Sequence, residues 1–394
     1  MRNLLFVLLV AGCSCLAFAK DGANNGRSEN GSGGLTRKEA DAESQRLWQA
    51  CLRDLSAGLK NEWDAKEIRT GSKVLRLKVK VSGGKPADGR SLYISMHGGG
   101  NATKELNDQQ WNNQIRLYSP KEGVYVAPRA PTNTWNLWHE AHIDTLFDRL
   151  IEAAVILEGV NPNKVYLMGY SAGGDGVYQL APRMADRWAA AAMMAGHPNE
   201  ASPLNLRNIG FSIHMGALDS AYNRNEIARK WGRVLDSLSK ADPRGYQHVV
   251  QLHEGRGHWM NREDSVAVPW MASFRRNPLP DRVVWKQDDV NHYSFYWLAV
   301  PAESAKTGGE VVVSKTGNVL NVEKNYSDTL IIRLNDKMMD LDKPVTVRYL
   351  GREIYKGKVQ RLRQVIERTI QERKDRDLIF SSELVIVKGR VIKS

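Results

Sequence analysis

The chain has 394 residues, of which 42% are hydrophobic and 25% are charged. This composition is typical of a globular protein with enough apolar material for a large core, and it excludes a disordered or fibrous chain. The formal net charge of +12 comes without a basic stripe interleaved with aromatic residues, so we interpret it as a solvated surface and expect no nucleic-acid partner.

The first residues have the pattern of an export signal. Arg2 is followed by a short apolar stretch and by the small-x-small site Ala17-Phe18-Ala19, which predicts a signal peptide over residues 1–19. The apolar stretch is too short to predict a membrane span. Val10-Ala11-Gly12-Cys13 also resembles a bacterial lipoprotein box, so a lipid anchor at Cys13 stays open. Either route predicts an exported protein, periplasmic or secreted.

Two segments precede the first predicted strand. Residues 20–36 are rich in Gly, Asn and Ser and predict a flexible linker. In residues 37–60, apolar side chains such as Leu47, Cys51 and Leu55 recur at helical spacing and predict an amphipathic helix packed against the rest of the protein. A chain cut after residue 19 keeps Cys51 as its single cysteine, which excludes an internal disulfide.

The strongest motif follows a predicted strand near the middle of the chain. The apolar run Val165–Met168 leads directly into Gly169-Tyr170-Ser171-Ala172-Gly173, and a helix-like segment follows. Strand, Gly-x-Ser-x-Gly and helix in this order are typical of a nucleophile elbow, in which the serine hydroxyl stands above the sheet. The pentapeptide alone is equally compatible with a glycine-rich surface turn, but the strand and the helix favour Ser171 as a nucleophile.

A glycine run ends an earlier predicted strand. His97-Gly98-Gly99-Gly100 follows the strand Ser91 to Met96, and glycines there let backbone N–H groups approach a substrate oxygen. We therefore predict an oxyanion hole built from the N–H groups of Gly98 or Gly99 and of Ala172. The run lacks the Gly-Lys-Ser/Thr ending of a phosphate loop, which argues against nucleotide binding.

Three tryptophans precede the elbow in segments expected at the carboxyl edge of the sheet, where ligands bind in α/β proteins. Trp111, Trp135 and Trp138 are therefore predicted to form a substrate wall, with packing beneath a loop as the alternative for each. The neighbouring His139 and His142 are not spaced as in His-Glu-x-x-His, so no metal site is predicted.

A nucleophilic serine needs a base and an acid that orients the base. In chains with this elbow the acid, Asp or Glu, follows the serine, and the histidine base follows the acid. His258 lies in a glycine-flanked loop after a predicted strand and is the predicted base, with His253 as the alternative. Asp219 lies just past the preceding predicted strand and is the predicted acid. Asp175, four residues after the serine, is the alternative acid.

Strand-like and helix-like segments alternate over residues 61–278, which predicts an α/β domain with a mostly parallel sheet and helices on both faces. Residues 279–394 contain short strand-like runs, one of them from Tyr293 to Val300, and one helical stretch, and they predict a small, mainly-β accessory domain. Its aromatic run Tyr293 to Trp297 is a possible polysaccharide contact, although core packing explains at least half of these rings.

The glycine run at 97–100, the Trp135 loop, the elbow, and the segments around Asp219 and His258 together resemble the α/β-hydrolase superfamily, in its secreted esterase and polyhydroxybutyrate-depolymerase-like branch. The resemblance covers roughly residues 74–275. It implies an α/β-hydrolase fold and a serine carboxylic-ester hydrolase that forms an acyl-enzyme on a small-molecule or polymer-linked ester and needs neither metal nor organic cofactor. The cysteine pair that braces the site in some secreted relatives is missing.

Two other functions stay open. A serine peptidase similar to prolyl oligopeptidase would use the same three residues, although the sequence contains no blade-like repeats of the propeller that such enzymes usually carry. A non-catalytic protein on a hydrolase scaffold would instead bind glycan through residues 279–394.

Overall fold

The computed structural model describes residues 34–393, which belong to one compact unit. The predicted signal peptide, the possible anchor at Cys13 and the linker up to residue 33 lie outside the described residues. No helix within residues 34–393 is both long and apolar enough to cross a membrane.

A mixed sheet of eight strands forms the centre of the fold, in the order β1-β2-β4-β3-β5-β6-β7-β8. The strands are β1 (Glu67–Thr70), β2 (Lys73–Ser82), β3 (Arg90–Met96), β4 (Gly123–Arg129), β5 (Val160–Tyr170), β6 (Ala190–Met194), β7 (Gly210–Gly216) and β8 (His248–His253). From β4 to β8 every pair is parallel, whereas β1 with β2 and β2 with β4 are antiparallel.

Helices cover both faces of this sheet, as the sequence predicts. All residues of β6 and β7, and ten of the eleven in β5, are buried, which requires cover on both sides and explains their continuous apolar runs. The helices are α1 (Arg37–Ala65), α2 (Lys104–Leu117), α3 (His142–Leu157), α4 (Ala172–Arg183), α5 (Arg224–Ala241) and α6 (Ala267–Met271), while a seventh, α7 (Arg363–Arg373), packs on α1. The predicted α/β class is confirmed.

The residues after Pro280 form two five-stranded sheets, ordered β10-β11-β14-β17-β18 and β16-β15-β13-β12-β9. Their strands are β9 (Arg282–Lys286), β10 (Ser294–Phe295), β11 (Leu298–Ala299), β12 (Glu310–Thr316), β13 (Val319–Asn325), β14 (Thr329–Leu334), β15 (Val345–Tyr349), β16 (Arg352–Gly357), β17 (Ser382–Val387) and β18 (Arg390–Lys393). Only β13 with β15 is parallel among these pairs in the described chain, so the predicted mainly-β character is confirmed.

The first helix begins at a capping box and joins the two parts of the fold. The Thr36 hydroxyl accepts from the N–H of Glu39 while the Glu39 carboxylate accepts from the N–H of Thr36, which satisfies two free donors at the helix start. The helix α1 packs on α3 and on α7. It continues to Ala65, five residues past the predicted end at residue 60, and stops where Lys66 adopts a left-handed conformation.

One expectation for the last third of the chain is wrong. The predicted single strand from Tyr293 to Val300 is a hairpin of two short strands, β10 and β11, joined through Tyr296 and Trp297. Phe295, Tyr296 and Trp297 are each at most 1% exposed; Phe295 stacks on Trp285, and the Tyr296 hydroxyl donates to the Ala185 carbonyl. These three rings pack in the core, as expected for at least half of the aromatic run, whereas Tyr293 is 61% exposed.

Candidate active site

Ser171 lies on a sharp turn between β5 and α4. Its backbone has φ 58° and ψ −121°, a conformation that strains a residue with a side chain and that occurs at functional turns. A Cβ on Gly169 would lie 2.2 Å from the carbonyl oxygen of Gly173, and one on Gly173 would lie 2.2 Å from that of Met96. Only glycine fits at either position, so these two residues permit the turn that presents Ser171.

The structure brings Asp219 and His258 to Ser171 from the loops that follow β7 and β8. Asp219 Oδ2 lies 2.7 Å from His258 Nδ1, and His258 Nε2 lies 3.0 Å from Ser171 Oγ. Both distances are those of hydrogen bonds. The Asp219 side chain is 2% exposed and the His258 side chain 43% exposed. The carboxylate is thus shielded from water, while the imidazole faces the opening of the site.

Further contacts fix the position of Asp219. Its N–H donates to the Gly216 carbonyl at 3.0 Å, and its own carbonyl accepts from the N–H of Asn225 at 3.1 Å. Its other carboxylate oxygen, Oδ1, lies 3.7 Å from an Arg224 guanidinium nitrogen. The carboxylate therefore faces Nδ1 of His258 and favours the tautomer with its proton there, which leaves Nε2 free to accept the serine proton.

The glycine loop after β3 lies against the elbow. Gly99 and Gly100 have φ values of 108° and 80°, which residues with a side chain rarely adopt. Asn107, fully buried on α2, accepts from the N–H of Gly100 at 3.0 Å and donates to the carbonyls of Ala102 and Thr103 at 3.1 and 3.0 Å. Since Asn107 takes the Gly100 N–H, the N–H groups of Gly98 and Gly99 are the candidate oxyanion donors on this loop.

His97 is a structural residue of the same loop. Its Nδ1 lies 2.5 Å from the Gly98 carbonyl oxygen, and its Nε2 accepts from the N–H of Ala130 at 3.2 Å. Burial lowers the pKa of His97 to about 3, so the ring is neutral at physiological pH. A neutral ring with its proton on Nδ1 satisfies both bonds and ties the glycine loop to the segment after β4.

A cavity of about 560 Å³ opens beside Ser171. Its walls combine apolar side chains with amides from one face of α2, namely Leu106, Leu117, Tyr170 and Trp259 together with Gln110, Asn113 and Gln114. The described residues that line it include no Asp, Glu, Lys or Arg, and His258 is the one histidine among them. The cavity is therefore suited to a neutral group that has both apolar and hydrogen-bonding parts.

A cavity of similar volume, about 600 Å³, lies at the opposite end of β3 and β5. Tyr93, Tyr118 and Tyr166 contribute to its walls, but no histidine does. A serine hydroxyl hydrogen-bonded to an imidazole lines the Ser171 cavity but not this one, so the Ser171 cavity is the candidate site despite the similar sizes.

The predicted tryptophan wall is not found. Trp138 is fully buried and its Nε1 donates to the His97 carbonyl at 2.9 Å, while Trp111 donates to the Ala127 carbonyl at 2.8 Å. Trp135 is 59% exposed but is absent from the walls of the cavity. The prediction is wrong for Trp111 and Trp138, because their indole N–H groups donate to backbone carbonyls and neither ring lines the cavity.

The alternative base and acid lie in other environments. His253 is buried, with Nε2 3.3 Å from His214 and Nδ1 3.4 Å from Glu263. The Asp175 carboxylate accepts from the N–H of His197 at 2.6 Å. Neither alternative side chain is hydrogen-bonded to the side chain of Ser171 or of His258, and Asp175 is bonded to Ser171 only through its backbone N–H, which donates to the Ser171 carbonyl at 3.0 Å.

Sequence reasoning missed three residues that shape the site. Asn107 organises the glycine loop, Trp259 lines the cavity, and Tyr170 contacts the loop that carries His258. For Tyr170 and Trp259 a signal was available, since each is adjacent to a predicted catalytic residue. Asn107 had none, because its role depends on how the glycine loop folds back over α2. No group of three or more His, Cys, Asp or Glu side chains within residues 34–393 is arranged to hold a metal ion.

Comparison with known proteins gives only distant similarities. No protein-family model matches the chain, and no curated protein does. Solved structures that align with part of it include a thermostable esterase at 17% identity and a TM-score of 0.42, covering 54% of this chain and 64% of that one. A carboxylesterase from Mesorhizobium loti aligns at 18% identity and a TM-score of 0.36, covering 53% of this chain and 99% of that one. The feruloyl esterase module from Clostridium thermocellum aligns at 14% identity and a TM-score of 0.37, covering 51% of this chain and 83% of that one. The chain thus spans less than two thirds of the thermostable esterase.

Proposed function

On the premise that the chain has the α/β-hydrolase fold, which its sheet and its strand–turn–helix elbow display, we propose that it hydrolyses carboxylic esters through a covalent acyl-enzyme. Ser171 is the nucleophile, His258 is the general base and acid, and Asp219 orients His258. The observation that carries this proposal is the continuous hydrogen-bonded series from Asp219 through His258 to Ser171, with distances of 2.7 and 3.0 Å.

In the first step Ser171 Oγ attacks the ester carbonyl carbon while its proton moves to His258 Nε2. The imidazolium that forms is stabilised by the Asp219 carboxylate, which is shielded from water and therefore interacts strongly with the charge. The strained turn at Ser171 holds the hydroxyl in place before the substrate arrives.

The negative charge on the former carbonyl oxygen needs donors that are already in position. The N–H of Ala172, at the start of α4, is one, and the N–H of Gly98 or Gly99 is the other. The positive end of the α4 dipole adds to this stabilisation. His258 then gives its proton to the alcohol oxygen, the C–O bond breaks, and the acyl group stays on Ser171. A water molecule, deprotonated by His258, hydrolyses the acyl-enzyme in the reverse sequence of proton transfers.

A fluorophosphonate probe tests the nucleophile. We expect covalent labelling of the wild-type protein and none of Ser171→Ala. Ser202→Ala, which changes a serine outside the site, should be labelled like wild type.

Asp219→Asn should lower kcat by about 10³- to 10⁴-fold, because the imidazole would favour the wrong tautomer. Asp236→Asn is the matched control, since Asp236 also bonds a histidine, His248 at 3.1 Å, but on the surface. An unlabelled wild-type protein would overturn the proposal in favour of a binding protein.

Ester and amide substrates separate an esterase from a peptidase. We expect hydrolysis of neutral p-nitrophenyl esters with little activity on proline p-nitroanilides, because the cavity carries no anionic side chain to recognise a peptide amino terminus. Activity on anilides without activity on esters would contradict this substrate class.

We propose export on the pattern of residues 1–19. Determination of the mature amino terminus tests it: a chain starting at Lys20 supports a cleaved signal peptide, and a lipid-modified Cys13 supports an anchored form. A mature protein that retains Met1 would contradict both.

A further inference from the structure

Tyr170, the residue before the nucleophile, makes two hydrogen bonds to the loop that carries the base. Its hydroxyl donates to the carbonyl of His258 at 2.6 Å and accepts from the N–H of Met260 at 3.0 Å. Its ring also contacts the rings of His258 and Trp259, with centroids 6.0 and 5.7 Å apart. The Tyr170 hydroxyl is thus hydrogen-bonded to the residue before Trp259 and to the residue after it.

The other contacts of the loop lie on either side of His258, and they include the ion pair between the Arg256 guanidinium and Glu263. Gly255 and Gly257 precede His258, and an added Cβ at either glycine would meet nothing within 4 Å. Upstream, the Arg256 carbonyl accepts from the N–H of Leu218 at 2.8 Å, and downstream the Met260 carbonyl accepts from the N–H of Glu263 at 3.0 Å. Among residues 34–393, the Tyr170 hydroxyl is the sole hydrogen-bond partner of the His258 peptide groups.

The hydroxyl is suited to this role because it stays protonated. Burial raises the pKa of Tyr170 well above its ordinary value, so the phenol keeps the one proton that it donates to His258. Its lone pair serves the N–H of Met260, a fully buried residue. One donor and one acceptor are both used, which fixes the rotation of the hydroxyl as well as the loop.

We infer that Tyr170 is a positioning residue for the general base, and this inference rests on the proposed function of Ser171 and His258. The backbone clamp at His258 and Met260 sets where the imidazole stands relative to Ser171 Oγ. Because Tyr170 belongs to the same strand end as the nucleophile, the hydroxyl and the imidazole keep their separation when the exposed loop fluctuates. Proton transfer depends steeply on that separation.

Tyr170→Phe tests this role, since it keeps the ring that lines the cavity and removes only the hydroxyl. We expect kcat per active site to fall by about 10- to 100-fold, as a displacement of around 1 Å at a catalytic group produces, with KM within about twofold of wild type. The second-order rate of fluorophosphonate labelling should fall by a similar factor, because it also needs His258 as a base.

Tyr166→Phe is the matched control. Tyr166 lies on the same strand, and its hydroxyl donates to the Phe274 carbonyl at 2.9 Å, far from His258. Titration of active sites with the fluorophosphonate, taken to completion, gives the folded fraction of each variant. Both variants lose a hydroxyl that bonds the backbone, so both should lower the melting temperature, but only Tyr170→Phe should lower kcat per titrated site.

Two results would overturn the inference: Tyr170→Phe with wild-type kcat per titrated site, or an equal fall in Tyr166→Phe. Failure of the proposed function gives a different result, because a wild-type protein that is neither labelled nor active would leave no kcat to compare. If Tyr170→Phe misfolds, the active-site titration shows a reduced folded fraction. Tyr170→Trp then serves as a second variant, because its indole N–H can donate to a carbonyl but cannot accept from the N–H of Met260. Its expected kcat per titrated site lies at or below that of Tyr170→Phe, and a wild-type value would also contradict the clamp.

Discussion

Two carboxyls near Ser171 differ because their partners differ. Asp219 faces the His258 imidazole and lies 3.7 Å from an Arg224 nitrogen. Asp175 accepts from a backbone N–H, and burial raises its pKa to about 6. Position along the chain makes both plausible acids, yet only Asp219 is oriented towards the base. Asp175 is instead a buried acid whose ionisation opposes folding.

The raised pKa of Asp175 predicts a pH-dependent stability. Well below pH 4 its carboxyl is protonated in the folded and the unfolded chain, so it has no effect, and at pH 4 the effect is still small. Above pH 6 the folded protein holds a buried carboxylate and is less stable by on the order of 3 kcal/mol, since one pKa unit corresponds to about 1.4 kcal/mol. Asp175→Asn should therefore raise the free energy of unfolding at pH 8 and leave it nearly unchanged at pH 4.

Urea unfolding of wild type and Asp175→Asn at the two pH values measures this difference. The control is Asp236→Asn, whose side chain is 75% exposed and whose effect should be small at both. An equal gain for Asp175→Asn at pH 4 and pH 8 would show that the carboxylate charge is not responsible.

The two exposed tryptophans of the region should differ in substrate binding. Trp259 is 51% exposed and lines the cavity, whereas Trp135 is 59% exposed and does not. Trp259→Ala should raise KM for an aryl ester by about 5- to 10-fold, as expected for loss of an aromatic contact of about 1 kcal/mol. Trp135→Ala should leave KM unchanged. Steady-state kinetics on both variants decide the matter, and the reverse pattern would restore the sequence-based choice of Trp135.

At the scale of elements, the elbow depends on close contact between three backbones. The end of β5, the start of α4 and the end of β3 meet at Gly169, Gly173 and Met96, at distances that exclude a side chain. This is why a strand can pass into a helix within one residue and leave Ser171 with a positive φ.

Gly173→Ala should therefore be severely destabilising, by more than about 3 kcal/mol, because its Cβ would have to displace the backbone of β3. Gly84→Ala is the matched control, since a Cβ there meets nothing within 4 Å. Thermal unfolding measures both. A Gly173→Ala protein as stable as Gly84→Ala would mean that β3 and α4 can separate at little cost.

At the scale of the whole molecule, the sheets after Pro280 are joined to the first sheet by buried charges. Asp375 lies 2.7 Å from the Arg276 guanidinium, with side chains 5% and 1% exposed, and Asp186 pairs with Arg373. Burial by itself would raise the pKa of Asp375, but the Arg276 and Arg187 charges outweigh it and hold the pKa at about 2. The apolar core is also continuous across this junction.

Asp375→Ala should lower the free energy of unfolding by about 3 to 5 kcal/mol, because it leaves a buried guanidinium unpaired. The folded pKa of Asp375 is depressed, so its stabilising contribution is present above pH 4 and is lost as the pH falls towards 2. Asp64→Ala is the control, since its pair with Lys60 is about 60% exposed and is worth little. Denaturant unfolding compares them, with kcat per titrated site unchanged in both. A loss below 1 kcal/mol for Asp375→Ala would show that this ion pair contributes little to the junction.

The parts of the fold that the sequence predicted are those specified by local pattern. Apolar runs predicted buried strands of the first sheet, helical spacing predicted α1, and the Gly-x-Ser-x-Gly motif predicted the elbow. The hairpin at Tyr293 to Val300 was mistaken for one strand, because an unbroken aromatic run shows no turn signal. The edge strand β16 was missed, since its residues, Arg352–Gly357, are mostly polar and largely exposed.

What the sequence determined by itself was therefore the class of fold, the strand–turn–helix setting of Ser171 and the candidates Asp219 and His258, because each was indicated by the residues next to it. Only the tertiary structure decided which aromatic rings face the cavity, that Asn107 takes the Gly100 N–H, and that Tyr170 holds the His258 loop. The physical reason is that these contacts join segments that are distant in the chain. Where such segments meet, side chains are selected by burial and by the need to pair buried polar groups, and not by local sequence pattern.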